Sequence, residues 1–124
     1  MKTAILVLSD PRSGSEEANG RLFNALAIAH DLQSRNQEVT VIFQGTGTRW
    51  PALLAQKDHP FHELFASVQP SVAGVSRACA VVFGATEGAV ACGTKLLDDN
   101  PLPGTPGLPS SAALIALGYT PLVF

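Results

Sequence analysis

The thiol of Cys79 falls where an apolar run, Val72-Ala73-Gly74-Val75, gives way to the short helical pattern of Arg77 to Phe83. A cysteine at that junction would lie near the unpaired N–H groups and positive dipole end of a helix, two residues from Arg77. Both effects favour thiolate over thiol. Cys79 is therefore a candidate nucleophile or sulfur carrier, with Arg77 and Ser76 as its candidate helpers. The competing reading puts Cys79 on the inner face of its helix with Ala78, Val82 and Phe83, as an inert small hydrophobe. Cys92 follows Ala89-Val90-Ala91, a packing environment. A resolving role for it would need its Cα within bonding reach of Cys79.

Two loops have the composition to hold an anion. Ser9, Ser13 and Ser15 offer hydroxyls and free N–H groups before a helix, and Gly45-Thr46-Gly47-Thr48 offers a second nest after a strand. Neither carries a P-loop pattern or a dinucleotide fingerprint, and Glu16 and Glu17 oppose an anion at the first loop. Capped helices and tight turns are the competing reading for both. His59 and His62, flanked by Asp58 and Glu63, could supply two metal ligands, but His30 is the only other histidine. A metal site is not expected. Arg49 and Trp50 are expected at a crevice mouth or a subunit contact. A hydrolase is disfavoured, because there is no Gly-x-Ser-x-Gly elbow and no histidine that can be placed near Cys79.

The elements that must position these groups are legible from periodicity and breakers. Thr3 to Leu8 is a continuous apolar run ended by Asp10-Pro11, as in a strand buried on both faces. Ser13 and Glu16 have capping-box spacing, and Leu22, Ala25, Leu26, Ala29 and Leu32 recur at helical intervals to about Arg35, with Asn36 as a left-handed cap. Val39 to Phe43 reads as a second strand. Thr48 is expected to cap a short helix containing Pro51, and Asp58 or His59 another, with Pro60 at its first position and Pro70 as its stop. A third strand is expected within 71–75 and a helix from Arg77 to Phe83, ended by Gly84. Ala89 to Cys92 fits a helix and Thr94 to Leu97 a short fourth strand. Asn100 to Pro109, with four prolines and two glycines, is a long loop suited to a lid or an interface. A last helix to Leu117, capped by Gly118, and a strand over 120–124 close the pattern.

Strands alternating with helices predict an open, mostly parallel sheet of about five strands with helices on both faces. Ligands would then gather beyond the carboxyl ends of the strands, where the loops from Ser9, Gln44 and Ser76 should converge. With 124 residues, 46% hydrophobic and 15% charged, the chain suits a single domain over 1–124 with one core. A net charge of −2 argues against nucleic acid as a partner. Two cysteines, no membrane-length apolar run and no signal-peptide pattern lead to the expectation of a reduced, cytoplasmic protein free of membrane contact.

Taken in order, several of these segments resemble the DsrE/DsrF-like family of small α/β proteins. The likeness rests on the opening strand with its polar loop and Ala- and Leu-rich helix, and on Glu38-Val39-Thr40-Val41-Ile42-Phe43 leading into a Gly-containing turn. It continues through Val75-Ser76-Arg77-Ala78-Cys79-Ala80, Gly84, and the ending Gly118-Tyr119-Thr120-Pro121-Leu122-Val123-Phe124. The resemblance implies a flavodoxin-like three-layer sandwich and a homo-oligomer, a trimer or hexamer. It implies that Cys79 accepts a sulfane sulfur as a persulfide from a donor protein and hands it to an acceptor, without multiple-turnover chemistry of its own or a cofactor. Some relatives carry a second cysteine where Ser76 stands here. Two alternatives share the fold: a non-catalytic module binding a small ligand or nucleotide between the loops 9–15, 44–48 and 76–79, and an oligomeric assembly subunit.

Overall fold

A computed structural model describes residues 1–124. Five parallel strands form one sheet in the order β4-β3-β2-β1-β5: β1 (Lys2–Val7), β2 (Glu38–Phe43), β3 (Val72–Ser76), β4 (Leu96–Leu97) and β5 (Tyr119–Val123). The helices are α1 (Glu16–Ser34), α2 (Trp50–Leu54), α3 (His62–Val68), α4 (Arg77–Val82), α5 (Thr86–Ala91) and α6 (Ser111–Ala116). This is a three-layer α/β arrangement, flavodoxin-like in its layering, as the alternation of elements predicts.

The strand order follows from the crossovers. From β1 the chain steps to β2, β3 and β4 in one direction, so right-handed connections lay α1 to α5 on a single face. Ile5, Val7, Val41, Phe43 and Val75 point to that face and meet Leu22, Leu26, Trp50, Leu54, Phe65 and Val68 in the main core. The last connection reverses direction to reach β5, which puts α6 on the other face. There Leu114 and Pro109 lie near Thr40 and Ile42, and α6 has no fully buried residue. The layer is much thinner on that side. The point of reversal lies at the carboxyl ends of β3 and β4, whose outgoing chains run to opposite faces, and a crevice is expected there.

β5 is an edge strand with its outer rim blocked. Phe124 donates to the Leu6 carbonyl and its own carbonyl accepts from Leu8, both across to β1. By strand alternation, Tyr119, Pro121 and Val123 direct their backbone groups outward. Pro121 thus has no N–H to offer an incoming strand, a common way of protecting an edge.

Local signals placed most elements within a residue or two, with instructive exceptions. Ser15, not Ser13, caps α1 by accepting from the Ala18 amide at 3.0 Å, because Pro11–Ser13 forms its own 3₁₀ turn ended by Gly14 at φ +69°. Thr48 does not cap α2: its hydroxyl donates to the Gly45 carbonyl inside a 3₁₀ turn over Gly45–Arg49. α3 begins at His62 rather than Pro60, and neither Asp58 nor His59 caps it. His59 Nδ1 instead accepts from the Phe61 amide, holding the preceding turn. Pro70 sits in a 3₁₀ turn over Gln69–Ser71, so β3 starts at Val72. Asn36 takes the left-handed conformation expected of it, at φ 58°.

Two glycines set how closely the pieces approach. A Cβ at Gly47 would lie 2.2 Å from the Val7 carbonyl oxygen, so only glycine lets the turn after β2 rest on the end of β1. At Gly74, where φ is +152°, a Cβ would lie 2.2 Å from the Lys95 carbonyl oxygen. That carbonyl accepts from the Val75 amide and brings β4 onto the sheet.

Candidate functional site

β3 ends at Ser76, and Ser76 caps the helix that carries Cys79. The Ser76 hydroxyl is fully buried and accepts from the Cys79 amide at 3.2 Å. Cys79 is a free thiol, partly exposed, in the first turn of α4. In the next turn of α4, Val81 and Val82 are exposed to solvent at 59% and 72%, and Val82, three residues on from Cys79, shares its side of the helix. Next to a thiol, two such valines form an apolar rim.

The helpers assigned to this thiol are otherwise engaged. Arg77 Nε donates to Asp98 at 2.9 Å, so its charge is directed across the crevice to the segment leaving β4. The Ala78 amide donates to the Gly107 carbonyl at 2.9 Å, and the Cys79 amide is held by Ser76. In the structure Ser76, Arg77 and these two amides each close a contact within the protein. Together they anchor the loop 98–109. Asn100 and Leu108 also exchange backbone hydrogen bonds across the base of that loop, and the Thr105 hydroxyl donates to the Leu102 carbonyl. It is a stapled hairpin-like excursion.

The loops after β1 and β2 do converge on each other. Arg49 Nη1 meets Asp10 at 3.1 Å, Trp50 Nε1 donates to the Ser9 carbonyl at 2.9 Å, and the Thr46 hydroxyl donates to the Leu8 carbonyl. Trp50 is fully buried, not at a crevice mouth or subunit contact as expected, because its indole is a core side chain with one polar atom to satisfy. The proposed anion nest at Gly45, Thr46, Gly47 and Thr48 has both hydroxyls turned to backbone carbonyls, and Gly47 is pressed on β1. Ser13 Oγ accepts from the Ser15 amide, Ser15 Oγ from Ala18, and Ser9 Oγ lies 3.3 Å from Trp50 Nε1. These serines border a shallow depression that also contains Asp10 and Glu17. Arg21 lines it too and pairs with Glu17, which leaves a net negative lining that disfavours an anion.

The three loops do not form one crevice. Ser76, Arg77 and Cys79 line no cavity shared with the other two, and the link between the regions runs through Arg49 Nε, which donates to the Phe83 carbonyl at 3.2 Å. Cys92 directs its thiol back to the Ala89 carbonyl at 3.3 Å and to the Thr94 hydroxyl at 3.2 Å. His62 Nδ1 lies 2.8 Å from the Leu54 carbonyl, which requires the proton on that nitrogen. No group of three His, Cys, Asp or Glu side chains is arranged to hold a metal ion, and no helix is long and apolar enough to cross a membrane.

Sequence reasoning missed Asp98 and Gly107, which reach the Cys79 helix at Arg77 and Ala78, 21 and 29 residues away, and carry no local signal. It also missed Asp10 as the partner of Arg49. Fold and site together define a parallel three-layer α/β protein with a partly exposed thiol at the reversal point of its sheet. No family model, curated protein or solved structure matches the chain.

Proposed function

We propose that this protein is a small sulfur carrier in which Cys79 accepts a sulfane sulfur and passes it on. The observation that carries the reading is the placement of Cys79: a free, partly exposed thiol in the first turn of the helix that follows β3, at the end of the sheet where the chain reverses direction, on the same short helix as the exposed Val81 and Val82. The family resemblance adds the same position by sequence. In the transfer step the Cys79 thiolate attacks the outer sulfur of a donor persulfide. A new S–S bond forms at Cys79 while the donor's S–S bond breaks and the donor leaves as its thiolate. Repetition of the exchange with an acceptor thiol returns Cys79 to its starting state.

The valine rim supplies apolar area for a donor or acceptor protein, and a cytoplasmic, reducing setting suits a thiol that must be regenerated. Assembly into a trimer or hexamer belongs to the same reading. With Pro121 blocking the β5 rim, copies would meet through faces rather than by extending the sheet. Incubation with an inorganic polysulfide donor, followed by intact-mass measurement, should add one sulfur to the wild type and to Cys92→Ser but not to Cys79→Ser. Equal loading of wild type and Cys79→Ser would reject the carrier role.

A further inference from the structure

Away from the thiol, the corner between the loops after β1 and β2 and the turn joining α4 to α5 encloses a cleft of about 240 Å³. Its floor is apolar: Ala52 and Leu53 from α2 face Ala85 and Gly88, and a Cβ at Gly88 would touch Ala52 at 3.0 Å. Its polar wall is made by Arg12 and Arg49.

The charges on that wall do not cancel. The chain has five arginines, and Arg21, Arg35, Arg49 and Arg77 each pair with a carboxylate, Glu17, Asp31, Asp10 and Asp98 respectively. Arg12 has no such partner. Arg49 is also fixed from two other sides, with its Nε on the Phe83 carbonyl and its guanidinium 5.7 Å from the Phe83 ring centre. Its Nη2 has no acceptor in the protein. Two guanidinium groups facing one carboxylate leave a single positive charge at the rim of an apolar recess. A dianion would be undercompensated there and would meet a floor with nothing to solvate it, whereas a planar carboxylate matches the fork of an arginine.

We propose that this cleft binds a small organic monocarboxylate, with its carboxylate on Arg12 and the free nitrogen of Arg49 and a compact apolar body against Ala52, Leu53 and Ala85. Cys79 lines no part of the cleft, so the site stands or falls independently of sulfur transfer.

Benzoate is a suitable probe, followed by backbone amide NMR on the full chain. Saturable shifts should concentrate at Gly84, Ala85 and Gly88, and acetate, benzyl alcohol and inorganic phosphate should each bind at least about tenfold more weakly, since each lacks the body, the charge or the match. Arg12→Gln should weaken benzoate by about tenfold or more, the size of a lost charge-assisted hydrogen bond, with an unchanged melting temperature. Arg21→Gln, an equal change of charge elsewhere, should bind as wild type, and so should Cys79→Ser. Shifts scattered over the surface, phosphate binding as tight as benzoate, or undiminished binding by Arg12→Gln would each overturn the proposal.

Discussion

The carboxyl ends of β1 and β2 and those of β3 and β4 solve the same problem in opposite ways. At β3 and β4 the polar groups flanking the thiol reach other parts of the chain: Ser76 the Cys79 amide, Arg77 Asp98 through its Nε, Ala78 Gly107. At β1 and β2 the packing is equally close, with Trp50 buried and Gly47 resting on Val7, yet one cation, Arg12, is left without a counter-charge beside a cleft. The first region is chemically suggestive in sequence and internally satisfied in space. The second has little to distinguish it in sequence and keeps an unused charge. The regions differ in what folding leaves unpaired, which the reactive residue types in a segment do not reveal.

The two glycines offer the strongest way to break this contrast. Gly47→Ala would drive a methyl into the Val7 carbonyl at the centre of the sheet, where neither backbone can move without disturbing the main core. Roughly 3 to 4 kcal/mol of stability should be lost, read as a lowered urea midpoint with an unchanged slope. Gly74→Ala creates an equal clash with Lys95 and adds backbone strain, but β4 has only two residues and lies at an edge. The strain can relax by releasing β4, so the global loss should be smaller, roughly 2 kcal/mol, with faster amide exchange at Val75, whose donor bond to Lys95 opens. Equal losses in the two variants would show that β4 is not separable from the rest.

Ser76→Ala tests the β3 end more locally. The serine is fully buried and its hydroxyl makes the hydrogen bond that caps α4, so its loss should cost about 1 to 2 kcal/mol. The freed Cys79 amide would then be available to a bound sulfur. If the carrier reading is right, the alanine form should still load one sulfur at Cys79 despite its lower stability. Failure to load in a folded Ser76→Ala protein would make Ser76 a part of the chemistry rather than of the scaffold.

The ease with which these regions can be read from sequence differs for a physical reason. Strands and the long first helix announce themselves because burial shapes composition: Ala4 to Val7 are all buried, which gives β1 an unbroken apolar run, and Leu22, Ala25, Leu26 and Ala29 recur at helical intervals along one side of α1. Asn36 was legible because a residue ending a helix in the left-handed region is drawn from a short list. The capping errors arose where two caps competed. Ser13 has the box spacing with Glu16, but a 3₁₀ turn uses up its position and Ser15 is the extended residue directly before the helix. Charge pairing was the least legible of all. Arg77 and Asp98 are 21 residues apart, and Arg49 and Asp10 are 39 apart, so nothing local links them. Cys79 looked activated because Arg77 is its neighbour in sequence, and only the fold gives Arg77 another partner.

The smallest effect sharpens that last point. Arg77 and Asp98 are each about half exposed, so their pairing should stabilise the protein by no more than about 1 kcal/mol in a double-mutant cycle of Arg77→Met and Asp98→Asn. Its importance is positional. If the pair serves mainly to tie the loop 98–109 to α4, either single variant should speed amide exchange at Asn100 and Leu108 while leaving the alkylation rate of Cys79 unchanged at a fixed pH. If Arg77 acts on the sulfur instead, Arg77→Met should slow alkylation and Asp98→Asn, which frees the guanidinium, should accelerate it. The two variants then move the rate in opposite directions, a pattern that loosening the loop cannot produce because it affects both alike.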